Sequence, residues 1–194
     1  MKITVLLSAA LILAVPAFPA VISFTATLSS ANEVPVNASV GTGTATVVFD
    51  NILHSLNVDV TFSGLTGLTT ASHIHCCADP GTNAGVATEL PSFSNLPLGV
   101  TSGSFTQTYV TNVLATYNPA FVTANGGTAD SAEAALFAGM LAGKSYLNVH
   151  SSFAKGGEIR ANFTPEPGTF GLIAIPTIAL MFLLRRSTRN AALR

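Results

Sequence analysis

Hydrophobic and polar positions alternate most cleanly between Thr42 and Phe62. Thr44-Ala45-Thr46-Val47-Val48-Phe49 is rich in β-branched residues, and Asp50-Asn51 opens a turn. Leu56, Val58, Val60 and Phe62 then alternate with Asn57, Asp59 and Thr61. A period of two with a single apolar set predicts a hairpin with one buried face. Shorter runs of the same kind lie at Ser23–Leu28, Ala71–His75, Thr101–Tyr109, Lys144–His150 and Glu158–Phe163, separated by Gly, Pro, Asn and Ser clusters. Such spacing predicts an antiparallel sandwich or barrel. Two stretches break the pattern. Asn118–Asn125 is short and helix-like, and Asp130–Ala142 has Asp130 or Ser131 as N-cap and Gly143 as a stop. Both read as helical insertions joining two late strands.

The two ends follow different rules. Lys2 precedes an apolar run from Ile3 to Val15, with small residues at Ala17 and Ala20, the layout of a secretory signal peptide over residues 1–20. At the other end stand Pro165-Glu166-Pro167, an apolar segment from Phe170 to Leu184, and Arg185-Arg186 followed by Arg189 and Arg194. As a helix rising ~1.5 Å per residue, that segment spans roughly 22 Å, a marginal transmembrane length. The arginines set its end on the cytoplasmic side. A Pro-Glu-Pro triplet, an apolar segment and terminal arginines in this order resemble the PEP-CTERM sorting tail of bacteria, here residues 165–194. The resemblance implies an exosortase-type sorting enzyme as partner. It also implies a precursor anchored in the inner membrane and facing the periplasm, then release to the cell surface or extracellular matrix.

Setting the ends aside changes the composition. Between Phe24 and Thr164 there are three basic residues, Lys144, Lys155 and Arg160, against eight acidic ones, a net of −5. That balance excludes nucleic acid as a partner. The remainder is rich in Thr, Ser, Ala, Gly and Val, the palette of an extracellular β protein.

Within this region, Thr25-Ala26-Thr27-Leu28 with Asn32-Glu33-Val34-Pro35, Gly43-Thr44-Ala45-Thr46, Val60-Thr61-Phe62-Ser63-Gly64-Leu65, Ala71-Ser72-His73-Ile74-His75, Tyr146-Leu147-Asn148-Val149-His150 and Gly156-Gly157-Glu158-Ile159-Arg160 resemble successive blocks of the CHRD domain, over residues 24–164. The resemblance implies an antiparallel Greek-key β-sandwich with short helical insertions, similar to Cu,Zn superoxide dismutase. It implies no settled activity.

Chemistry concentrates on the histidines. On a strand His73 and His75 project to one face, ~7 Å apart at the backbone, and His150 shares a face with Tyr146 and Asn148. If the two strands meet, three imidazoles converge on one ion, a set suited to Cu or Zn. Superoxide dismutases use a His-x-His strand pair for copper, and the resemblance implies a similar location here. The alternative is that these histidines bond the loop after His75 and backbone carbonyls, holding the domain's end closed. His54, near the hairpin turn, reads as a solvated loop residue.

Cys76 and Cys77 are the only cysteines. Three arrangements are open to them: a disulfide between neighbours, thiolates joining the His73, His75 and His150 site at its mouth, or free thiols. Asp79 reads as a turn former, and Glu158 with Arg160 as an ion pair on the last strand. No Ser-His-Asp order, phosphate loop or carboxylate pair is legible, so no catalytic residue is assigned. The expectation is an exported surface or matrix binding module, its partner an exopolysaccharide or surface protein. The alternative is a copper- or zinc-handling redox protein built on the three histidines.

Overall fold

The computed structural model describes residues 21–166 of the 194-residue chain. The signal-peptide segment 1–20, and Pro167 with the apolar segment 170–184, Arg185 and Arg186, lie outside the described residues. No helix among the described residues is long and apolar enough to cross a membrane.

Eight strands form one curled antiparallel sheet. They are β1 (Val21–Ser29), β2 (Thr42–Asp50), β3 (Ser55–Ser63), β4 (Thr69–Cys76), β5 (Gly103–Val110), β6 (Ser145–Ser151), β7 (Ile159–Asn162) and β8 (Thr164–Pro165). The order across the sheet is β4-β6-β7-β1-β2-β3-β5, with β8 also paired to β1. Two helices, α1 (Pro119–Ala124) and α2 (Ala129–Leu141), join β5 to β6.

The alternating hairpin is β2–β3, in register from Thr42 opposite Ser63 to Asp50 opposite Ser55. Its turn closes because the Asp50 carboxylate accepts from the Ile52 and Leu53 amides, both at 2.9 Å. Leu56, Val58, Val60 and Phe62 all lie in the core. That core also takes Ile22, Phe24, Val47, Phe49, Ile74, Leu147, Val149 and Ile159, so both halves of the curled sheet line one apolar interior in a sandwich-like manner.

The sequence placed the start of α2 slightly late. Thr128 is the N-cap, accepting from the Ser131 amide while the Ser131 hydroxyl bonds back to the Thr128 backbone, so Ser131 sits at N3. Gly143 ends the segment at φ 67, a left-handed conformation that glycine adopts without penalty. The two-residue β8 went unseen in the sequence. It is too short for any periodicity.

An open sheet leaves edges, and β4 is one of them. The loop after β4 covers it: Cys76 N–H donates to Gly85 O, Ala87 N–H to Ile74 O and Phe93 N–H to Ser72 O. This loop also builds the candidate site.

Candidate metal centre

β4 and β6 pair with His75 opposite Tyr146, His73 opposite Asn148 and Ala71 opposite His150. β7 extends the rows with Arg160 opposite Asn148. Because side chains alternate along a strand, Ile74, Cys76, Leu147, Val149 and Ile159 point into the core. His73, His75, Tyr146, Asn148, His150 and Arg160 share the opposite face. An outer face normally meets water, yet His73, His75, Tyr146, Asn148 and Arg160 are buried, and His150 is half-buried.

The three histidines that the sequence singled out come together here, each offering one ring nitrogen within 4.8 Å of the others. Their other nitrogens face backbone carbonyls. His73 Nε2 lies 2.8 Å from Pro91 O, His75 Nδ1 lies 2.9 Å from Ala84 O, and His150 Nδ1 lies 3.0 Å from Lys155 O. A carbonyl oxygen can only accept, so each of those nitrogens carries the proton and donates. The neutral rings therefore present bare lone pairs at His73 Nδ1, His75 Nε2 and His150 Nε2. This is the arrangement of metal-ligating histidines, whose outer nitrogen is fixed by a carbonyl.

Those lone pairs have no donor between them. His73 Nδ1 and His150 Nε2 face each other at 3.3 Å, and His75 Nε2 is buried without a hydrogen-bond partner. Burial holds all three imidazoles below their ordinary pKa, His75 down to about 4. Neutral pH therefore leaves them deprotonated, the form that binds metal. Two nitrogens bonded at ~2.0–2.1 Å to a tetrahedral ion stand roughly 3.4 Å apart, which the 3.3 Å pair already matches.

One ring is held by stacking as well. His75 lies parallel to Tyr146, with centroids 4.8 Å apart and planes within 5°. The Arg160 guanidinium carbon sits 4.7 Å from the Tyr146 centroid. Arg160 in turn donates from Nε to Asn32 O at 2.6 Å and from Nη1 to Asn83 Oδ1 at 2.7 Å, with Glu33 Oε2 3.8 Å away. Burial pushes the Glu33 carboxyl up to about 7, against the pull of Arg160. Sequence reasoning placed Tyr146 on the histidine face but missed the roles of Glu33 and Asn83, which lie on irregular segments. The three carbonyls carry no side-chain signal at all.

Two sequence readings change, and one left open is decided. Cys76 and Cys77 form a disulfide with each other and do not join the histidines. Strand alternation turns Cys76 to the core, where Ser145 Oγ contacts its sulfur at 3.1 Å and a Cβ at Gly139 would strike both sulfurs. His54, half-exposed, is not merely solvated: its Nδ1 lies 2.8 Å from Glu133 Oε2, tying the hairpin turn to α2. Glu158 and Arg160 do not pair. Glu158 instead accepts from the Ser39 and Ser151 hydroxyls and the Thr66 and Gly67 amides, which together outweigh burial and hold it below the usual carboxylate range. Arg160 is 2% exposed, so its guanidinium does not reach solvent.

Comparison with known proteins agrees with the sequence blocks. No curated protein and no solved structure matches the chain. The CHRD domain family matches residues 24–163, from Phe24 in β1 to Phe163 just after β7, and the chain belongs to that family.

Proposed function

We propose that this chain is an extracytoplasmic CHRD module whose working element is a transition-metal centre formed by His73 Nδ1, His75 Nε2 and His150 Nε2. The observation that carries this reading is the set of three inward lone pairs with no proton donor among them. A purely structural cluster would pair each nitrogen, because an unpaired buried polar atom costs about 1–3 kcal/mol. Three imidazoles without a carboxylate or thiolate suit Cu or Zn rather than Mg or Ca. The half-buried His150 leaves the ion a way in.

Titration of the purified chain with Cu and Zn, read by calorimetry and thermal melting, tests this. Saturation at one hundred times Kd should add about 2.7 kcal/mol of stability. His73→Ala or His150→Ala should abolish both heat and stabilisation, whereas His54→Gln, outside the cluster, should leave binding intact. No binding at micromolar metal would leave the surface-module reading standing alone, with an exopolysaccharide or surface protein as partner.

The wider setting is also a proposal. The strand order, in which the chain crosses from β3 to the far edge at β4 and back to β5, supports a Greek-key sandwich similar to Cu,Zn superoxide dismutase. The signal-like N-terminus and the Pro165-Glu166-Pro167 tail support export, temporary anchoring in the inner membrane and exosortase-type processing. Intact-mass measurement of surface material should show loss of the chain beyond Pro165–Pro167. Glu166→Ala should hold the precursor in the membrane.

A further inference from the structure

We infer that the centre selects copper in its monovalent state over divalent ions, and that Arg160, stacked behind His75 through Tyr146, sets this preference. The inference rests on the metal-binding reading above and adds the charge of the cargo.

Imidazole chemistry does not choose between Cu and Zn, and the nitrogen spacing fits either. Charge does choose. The donor set is neutral, with three imidazoles and no carboxylate among the converging atoms. Glu89, the acid whose charge His73 feels, is occupied by the Ser94 amide and hydroxyl at 2.6 and 2.9 Å. The cysteine sulfurs are bonded to each other on the opposite side of β4, so no thiolate supplies the missing negative charge. Two of the three ligands are buried. The Born cost of taking an ion from water into such a site rises with the square of its charge, so a divalent ion pays about four times what a monovalent one does.

A fixed positive charge sharpens the discrimination. β4, β6 and β7 are neighbours in the sheet, and although Arg160 stands opposite Asn148, its guanidinium leans diagonally onto Tyr146, so guanidinium, phenol and imidazole form one stack. Arg160 is buried and anchored by Asn32 O and Asn83 Oδ1. Its one nearby acid, Glu33, is not in bidentate contact, and Glu33 Oε1 has no partner. The positive charge is therefore incompletely offset. Coulomb repulsion from it acts twice as strongly on a divalent ion as on a monovalent one.

The test measures two affinities on the purified full chain. Cu(I) is measured by competition with a chromogenic chelator under anaerobic conditions, and Zn(II) by calorimetry. Cu(I) should bind at least about a thousandfold more tightly. Arg160→Met keeps an apolar stem against Tyr146 but removes the charge, and should shrink that ratio about tenfold. With both affinities measured at pH 8.5, where the Glu33 carboxyl at about 7 is ionised, Glu33→Gln removes the offsetting negative charge and should widen it. The two variants thus move the ratio in opposite directions. If Arg160→Met fails to fold, Glu33→Gln decides the matter alone. Zn(II) binding as tightly as Cu(I), or a ratio that Glu33→Gln leaves unmoved, overturns the inference while leaving the metal centre in place. Absence of binding by either ion overturns both.

Discussion

The two halves of the sheet treat their outer faces in opposite ways. In β1-β2-β3 the pattern is simple: Phe24, Val47, Val58 and Val60 are buried, while Thr25, Thr27, Thr44, Thr46, Asp59 and Thr61 stand in water. In β4-β6-β7 both faces are buried. The inner face is apolar, and the outer one holds His73, His75, Tyr146, Asn148 and Arg160 beneath the loops that follow β1 and β4. A fold gains nothing from burying such groups unless they find partners. Most do, in carbonyls, hydroxyls and one another. Asn148 Oδ1 and the three converging imidazole nitrogens do not, and the nitrogens, which point at one another, are where function is to be sought.

The sharpest way to break the comparison is to put a charge into the apolar half. Val58 is fully buried between Val47 on one neighbour and Gln107 on the other. Val58→Asp should cost at least ~5 kcal/mol, enough to unfold a domain of ordinary stability. Asn57, one residue earlier, points outward and donates to Thr108 Oγ1 at 2.9 Å, so Asn57→Asp should cost less than ~1 kcal/mol. Urea denaturation of both variants checks this. Equal damage would mean that the faces of β3 are reversed.

In the polar half the largest effect should come from Glu158, which joins the segment before β2, the loop before β4 and the end of β6 through four donors. Glu158→Gln keeps the shape but turns an acceptor-only group into one with an N–H pair facing donors. The expected loss is about 3 kcal/mol, typical for breaking a buried charged network. Asp79, whose pair with Lys144 is solvent-exposed, provides the contrast. Asp79→Asn should leave the urea midpoint unchanged, because exposed pairs contribute little.

The same contrast explains what could be read from the sequence. Alternation from Leu56 to Phe62 named the buried face because only one face is apolar, and register follows from that single fact. His73, His75 and His150 were legible as a site because alternation also fixes which side chains share a face. Their convergence needed the β4–β6 pairing, which is a long-range property of the chain. One of the three arrangements left open for Cys76, at the mouth of the site, was already disfavoured by its place next to His75 on a strand, which puts it on the other side. The roof of the site was hidden for a different reason. Ala84, Pro91 and Lys155 act through backbone carbonyls, and Glu33 and Asn83 act from loops, where neither period nor spacing constrains direction. Glu158 and Arg160 read as sharing a strand face, but β7 begins only at Ile159, and each residue finds its partners in other segments.

The smallest effect is a difference in pH slope, and it sets two of the buried titrating groups of the polar half against each other. His75 is held at about 4 by burial, below its ordinary 6.5, so between those values the unfolded chain takes up a proton that the folded chain refuses. Its contribution to stability is present above about 6.5 and is lost as pH falls towards 4. Glu33 is pushed by burial to about 7 from its ordinary 4.5, so here the folded chain takes the proton first. Its contribution is present below about 4.5 and is lost as pH rises through 7. At about 1.4 kcal/mol per pKa unit the two are each worth about 3 kcal/mol, with opposite signs. They should largely cancel. His73 and His150, also held down by burial, tip the balance, so the native chain should lose stability only gently between pH 7 and 4.5. Glu33→Gln removes the opposing group and should make that decline steeper by about 2–3 kcal/mol over the same range. Urea midpoints at pH 7, 5.5 and 4.5, taken with a chelator present so that metal does not contribute, read the slope directly. Parallel slopes in the two proteins would show that Glu33 is not the group that balances the histidines.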